Sequence, residues 1–333
     1  MPTRYREIEV SGPPRVLGRQ LGEAAREEIR GFAAIALERV NLTVRVSREA
    51  ALRAVRDSVS RVEGYAPHLL EELRGVAEGS GLSLDEVMLL QVRNQLRPDG
   101  DAGCTGFSLA GSITADGRPV VGQNWDNDPA LDPFTIVLKR RPAGRPAILD
   151  VTQAGLIAYL GLNDRGLGVC LNTLPAPSRP LGVPHYFTVR SIYESDGLEG
   201  AMAAVRRAER AIPANILLAT AQGPADLEVT PEEVHLLRDD GSGVLVHTNH
   251  GLHPALEPAN ARFPELIQSR PRRDRMAALL AAAARPLRIA DLQAALRDHE
   301  GHPRSICRHA NDTPGTGYWA SVFSVILEPA AGR

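Results

Sequence analysis

Asp101-Ala102-Gly103-Cys104-Thr105-Gly106, followed on the next hairpin arm by Gly122-Gln123-Asn124-Trp125-Asp126, is the stretch that decides how this chain reads. Before it the sequence is helical in texture, and after it short strand-like runs dominate. Cys104 therefore stands at the entry to a first strand, directly behind a glycine. A glycine carbonyl has no Cβ to shield it from attack, and its backbone takes strained angles cheaply. We read Cys104 as a nucleophile that cuts its own peptide bond to Gly103 and then acts from the new N-terminus. A terminal cysteine carries its own base. Its α-amine titrates at about 7.7–8.0 and a thiol at about 8.5, so the amine can take the thiol proton near neutral pH.

Upstream, Leu17, Leu21, Ala24, Ile29, Phe32 and Ile35 recur at helical spacing over 17–40. Ser47 is placed to cap a helix over 49–65, and Pro67 to open a third that Gly79 and Gly81 break. Ser83-Leu84-Asp85-Glu86 starts a fourth, to about 95. Downstream, Asp116-Gly117 joins strands at 106–115 and 119–125. Further hairpin arms fall at 134–139 with 147–152, and at 156–160 with 168–172. Helices are expected at 185–195 and 198–210. Strands return at 215–220, 227–229, 234–237 and 244–248, helices at 271–284 and 289–297. A last strand at 318–327, apolar on both faces, reads as central. This is an α+β pattern, antiparallel sheet with helices outside.

The 333 residues are 43% hydrophobic and 23% charged, with net charge −2, which gives no pull toward nucleic acid or an anionic membrane. No run approaches the roughly 20 apolar residues of a membrane helix. Three cysteines and a polar N-terminus without a signal core fit a reducing, cytoplasmic setting.

Gly-Cys-Thr at 103–105, Gly-Gln-Asn-Trp-Asp at 122–126, Val-His-Thr-Asn-His at 246–250 and Ser-Ile-Cys-Arg at 305–308, with Arg179-Pro180-Leu181-Gly182-Val183-Pro184 between them, resemble the isopenicillin-N acyltransferase family. These are self-processing cysteine N-terminal-nucleophile hydrolases. The resemblance implies a single four-layer αββα domain over 1–333, cleaved between Gly103 and Cys104. A mostly helical α fragment (1–103) and a β fragment (104–333) would stay associated. It implies that Cys104 takes an acyl group as a thioester from an acyl-CoA or an N-acyl amide and passes it to an amine or to water. No cofactor is expected, coenzyme A entering only within the acyl-donor substrate.

By the same resemblance Asp126 orients the Cys104 amine, and Asn249 is the oxyanion donor. Loss of one such donor typically costs about 2.7–4 kcal/mol of barrier. Arg308 is the cation near the thiol, with Thr105 and Ser305 in support and Cys307 as packing. His247 and His250 are two metal-type ligands with no third, so no metal is expected. Asn127-Asp128, Gly251 and the Pro-rich 254–271 depart from the penicillin enzymes and are expected to shape the acyl and acceptor pockets. Two other readings stay open: an unprocessed cysteine hydrolase pairing Cys104 with a histidine, and a non-catalytic binding protein of the same fold.

Overall fold

The computed structural model describes residues 4–96, 103–262 and 268–333. Asp101 and Ala102 of the opening stretch, and 263–267 of the Pro-rich segment, lie outside the described residues. In chain order the elements begin with β1 (Arg6–Gly12), α1 (Pro14–Ala24), α2 (Arg26–Val40), α3 (Arg48–Tyr65), α4 (Pro67–Ser80) and α5 (Leu84–Val92). Then follow β2 (Cys104–Leu109), β3 (Val120–Asn127), β4 (Thr135–Pro142), β5 (Ile148–Gln153), β6 (Leu160–Asn163) and β7 (Gly168–Thr173). After α6 (His185–Tyr193) and α7 (Gly197–Arg207) come β8 (Ala214–Thr220), β9 (Gly223–Val229), β10 (Val234–Leu237) and β11 (Val244–His247). The chain closes with α8 (Glu257–Arg262), α9 (Ser269–Ala282), α10 (Ile289–Leu296) and β12 (Ala320–Leu327).

These elements gather into two compact units interleaved along the chain. The first takes Met1–Pro98, Ala130–Asn163 and Ser178–Ile212, the second Asp99–Pro129, Asp164–Pro177 and Pro213–Arg333. In the first, the strands run β1-β4-β5-β6, and α1 and α2 lie over β1, β4 and β5. β1 was not anticipated from sequence. It pairs parallel to β4, from Arg6 opposite Ile136 to Gly12 opposite Pro142, a departure from the all-antiparallel expectation. The single helix expected over 17–40 is broken at Ala25 into α1 and α2. Caps fall where expected: Ser47 accepts from Ala50 N at 3.1 Å, and Ser83 and Glu86 close a capping box on α5.

Gly79 corrects the reading above, since it lies inside α4 and only Gly81, in the left-handed region, ends that helix. Its role is close approach. A Cβ on Gly79 would sit 2.2 Å from Arg19 O, and one on Gly75 would sit 2.1 Å from Arg15 O, so α1 and α4 meet backbone to backbone. Beneath them runs a buried ion network. Arg190 pairs with Glu72 at 2.8 Å and with Glu194 at 3.1 Å, and Arg140 with Asp150 at 2.5 Å.

In the second unit two sheets lie face to face. One runs β7-β8-β9-β10 and the other β11-β2-β3-β12, every described pair antiparallel. Helices α9 and α10 cover the outer face of the second sheet, where Phe107, Leu109, Val120, Val246, Met276 and Leu292 form a shared core. Helix over sheet in one unit, and sheet on sheet under helix in the other, are the layers of the α+β fold expected. β12 is a correction. It pairs with β3 at the end of its sheet and is not central; its two apolar faces are explained by α10 on one side and by Trp125 stacking on Phe323 at 4.9 Å. The strand expected at 156–160 begins only at Leu160.

Candidate active site

The Gln123-Asn124-Trp125-Asp126 run lies in β3, beside β2, with Cys104 opposite Trp125 and Gly106 opposite Gln123. Strand alternation sends successive side chains to opposite faces. Gln123 reaches the facing sheet, donating to Leu171 O at 2.8 Å and accepting from Leu171 N at 2.7 Å. Asn124 turns the other way and donates to Leu296 O at 2.8 Å and Ile306 O at 2.9 Å. These amides satisfy buried backbone on both sides of β3 and fix its height, and with it Asp126.

Cys104 is the first residue of β2 and is buried. Its backbone N–H donates to Asn249 Oδ1 at 3.0 Å. The carbonyl of Gly103 accepts from Asp126 N at 3.0 Å. The peptide bond between Gly103 and Cys104 is thus gripped at its oxygen and at its nitrogen by two of the expected residues. A Cβ on Gly103 would lie 3.0 Å from Asp126 Oδ2, which gives the glycine a reason: the carboxylate packs against its Cα. Burial pushes the Cys104 thiol above its ordinary value, the Asp126 charge adds to this, and Arg272 opposes it.

Asp126 is fully buried. Ser321 Oγ donates to its Oδ1 at 2.5 Å, while Oδ2 has no hydrogen-bond partner among the described residues. Burial raises its carboxyl to about 6 against the pull of Arg272, Ser321 and Arg308. A buried carboxyl with one bare oxygen, titrating near neutrality beside a peptide bond, has the properties of a proton-transfer group.

Arg308 is buried too. Its backbone N donates to Ser321 Oγ at 2.8 Å. Nε, Nη1 and Nη2 lack hydrogen-bond partners among the described residues, and burial lowers its pKa while the Asp126 charge supports it. Arg272 opposes the rise of the Cys104 thiol, and Arg272 and then Arg308 oppose that of the Asp126 carboxyl. Ser305 donates to Cys307 O at 2.6 Å, so it shapes the turn that carries Arg308.

Arg272, from the first turn of α9, was not singled out from sequence. Its Nη1 donates to Cys104 O and to Thr105 Oγ1, both at 2.6 Å, and its Nη2 donates to Asn249 Oδ1 at 2.8 Å. Asn249 Nδ2 donates to Thr173 O at 3.2 Å and to Thr173 Oγ1 at 3.0 Å. Arginine and a peptide N–H only donate and a carbonyl only accepts, so these partners fix which end of the carboxamide is oxygen. The acceptor end faces Cys104 N, and the donor end faces Thr173. Ser321, also missed, stands opposite Asp126 in the β12–β3 register. Neither residue has a sequence signal: one is an arginine among Arg270, Arg272 and Arg273, the other a serine in an apolar strand.

The two histidines flanking Asn249 are structural. His247 is buried, with Nε2 at 2.8 Å from Glu228 Oε1 and Nδ1 at 2.8 Å from Thr248 O. Burial pulls its pKa down, but Asp226 and Glu228 outweigh that and raise it. His250 Nδ1 lies 2.7 Å from Ser269 Oγ, the same hydroxyl that accepts from Asn249 N at 2.8 Å. Burial lowers His250 to about 4.

The family model of acyl-coenzyme A:6-aminopenicillanic acid acyl-transferase matches residues 113–332, and the chain belongs to that family. The match includes Asp126, Asn249 and Arg308 and begins after Cys104. The chain is 27% identical, over 96% of its length and 89% of the relative's, to the acyl-coenzyme A:6-aminopenicillanic-acid-acyltransferase 40 kDa form of Emericella nidulans. Penicillin V acylase from Agrobacterium tumefaciens aligns over 68% of this chain and 80% of its own, with TM-score 0.45 and 12% identity. The protein is thus an enzyme of an acyl-transferring family. Among the described residues no helix is long and apolar enough to cross a membrane.

Proposed function

We propose that the chain is an autoproteolytic acyltransferase or amidohydrolase whose nucleophile is Cys104, freed by cleavage of the Gly103–Cys104 bond. The observation that carries the reading is the double grip on that bond: Asp126 N–H on Gly103 O and Asn249 Oδ1 on Cys104 N–H, each at 3.0 Å. In processing, the Cys104 sulfur attacks the Gly103 carbonyl carbon and its proton passes to Asp126. Negative charge builds on Gly103 O, where the Asp126 N–H already donates. The C–N bond breaks as the Cys104 nitrogen gains a proton from Asp126. Water then hydrolyses the Gly103 thioester, leaving a carboxylate on Gly103 and a free amine and thiol on Cys104.

In the mature enzyme the amine takes the thiol proton, which the thiol's raised pKa otherwise holds in place. The thiolate attacks an acyl-CoA or N-acyl amide, expels coenzyme A or the amine, and holds the acyl group as a thioester. An amine or water takes the group from it. In this reading Asn249 Oδ1, which already accepts from Cys104 N, and Asp126 hold the ammonium form of the terminus. A direct oxyanion role for Asn249 requires its Nδ2 to leave Thr173. Arg308 sets a cation opposite Asp126, and α and β fragments act as one enzyme. The three thiols are unpaired, which fits a reducing compartment such as the cytosol.

An unprocessed Cys–His hydrolase is disfavoured. Both ring nitrogens of His247 are engaged elsewhere, and His250 faces Ser269. The test is to incubate processed enzyme with a panel of acyl-CoA thioesters and N-acyl amides and read the mass of the Cys104 fragment. An acyl increment on that fragment, absent after thiol alkylation, is expected; turnover that survives alkylation would end the thioester route.

A further inference from the structure

The turn that follows α10 carries three histidines and a cysteine that the chemistry above does not use. His299 Nε2 and His309 Nε2 face each other at 3.0 Å, and Cys307 Sγ lies 3.9 Å from His309 Nε2. The three ligand-type atoms all fall within 4.8 Å of one another. The His302 ring is adjacent, its centroid 4.9 Å from that of His309 and 6.4 Å from that of His299. Tetrahedral zinc with Zn–N near 2.05 Å and Zn–S near 2.3 Å places the two nitrogens about 3.3 Å apart and each nitrogen about 3.6 Å from the sulfur. The His299–His309 and His309–Cys307 spacings lie within a few tenths of an ångström of these values, and His299 Nε2 lies within 4.8 Å of the sulfur.

The scaffold under these side chains is held independently of them. Cys307 N donates to Asp298 O at 3.0 Å, and His309 N donates to Pro303 O at 2.9 Å. The Asp298 carboxylate is clamped by Arg275 of α9 at 2.7 and 3.1 Å and accepts from Glu300 N at 3.0 Å. Ser305 adds its bond to Cys307 O. At 3.0 Å one Nε2–H donates to the other Nε2, so one of the two facing nitrogens carries a lone pair in place of a proton, and a metal would replace that shared proton. A thiol beside them completes a set of two imidazole nitrogens and one sulfur, the donor chemistry of zinc and of its cobalt surrogate.

We propose that His299, Cys307 and His309 form a zinc site, with the fourth position taken by His302 or by water. The expectation of no metal rested on His247 and His250; this cluster joins residues ten apart through a turn. Burial alternates along Cys307-Arg308-His309, with Arg308 inside and its neighbours toward solvent. A metal on 307 and 309 therefore pins the backbone that carries Arg308.

The test uses the full chain, stripped with a chelator and dialysed, then titrated with Co2+ and with Zn2+. One equivalent of Co2+ is expected to give a thiolate-to-metal charge-transfer band and a tetrahedral visible spectrum, both displaced by Zn2+. The same titration on Cys104→Ala excludes the other thiol of interest and is expected to give the same spectrum. Cys307→Ser is expected to lose the charge-transfer band, and His299→Gln and His309→Gln, both exposed residues, to weaken Zn2+ affinity at least roughly tenfold by calorimetry. Circular dichroism checks that each variant is folded. No charge-transfer band in the wild type, a band that survives Cys307→Ser, or unchanged affinity in both histidine variants overturns the site.

Discussion

Asp126 titrates where the proposed processing needs a base. Its carboxyl sits at about 6 because burial outweighs Arg272, Ser321 and Arg308. The carboxylate is lost as pH falls through that value, so processing is expected to slow below about pH 6. Cys104→Ser, in which a weaker nucleophile makes cleavage slow enough to follow, is the form in which to measure this by fragment mass against time. Ser321 lowers the Asp126 value through its hydrogen bond. Adding Ser321→Ala should therefore move the acidic limb to higher pH; an unmoved limb would take Asp126 out of the proton path. Arg272 braces Cys104 O, Thr105 and Asn249 together. Hydrogen bonds from a charged group are worth about 1.5–3 kcal/mol each. Arg272→Ala is expected to lower turnover at least about a hundredfold, a loss of roughly 3 kcal/mol in the barrier, with Arg272→Lys recovering only part. Near-normal turnover in Arg272→Ala would make the brace dispensable.

Among the elements, the α1–α4 pair is the most demanding contact. A methyl on Gly75 would enter the carbonyl of Arg15, so Gly75→Ala is expected to cost about 1–3 kcal/mol or more of stability, read as a fall in Tm. Gly64, which has open space around its position, is the control: Gly64→Ala on the same helix layer should leave Tm unchanged or raised. Those glycines show why sequence reading works in some places and fails in others. Gly81 was legible because a left-handed residue ends a helix by local geometry alone. Gly79 was not, because its meaning depends on a second helix. The same division runs through the site. Cys104, Asp126, Asn249 and Arg308 stood out as parts of short motifs; hydrogen bonds tie Asn249 to Cys104 and Asp126 to Gly103, and Arg308 joins through its backbone to Ser321, which donates to Asp126. Arg272 and Ser321 carry no motif, and their places follow only from the start of α9 and from the β12 register. β12 read as central because both of its faces are apolar, a pattern that a helix cover and an aromatic stack produce equally well at an edge.

For the chain as a whole, cleavage after Gly103 is expected to leave a single particle. Within the first unit, β1 pairs with β4 along seven residues, and Tyr65 of α3 donates to Ala204 O of α7 at 2.9 Å. Fragment 1–103 therefore supplies a strand and five helices to a unit whose remaining strands and helices come from 104–333. The two fragments should co-elute on size exclusion and separate only in denaturant. The central claim is that one peptide bond is given up to create the nucleophile, and intact mass of purified, active protein tests it most directly. We expect two masses, one ending at Gly103 and one beginning at Cys104, and a single full-length mass for Cys104→Ala. Full activity from wild-type protein of unbroken mass would contradict the account.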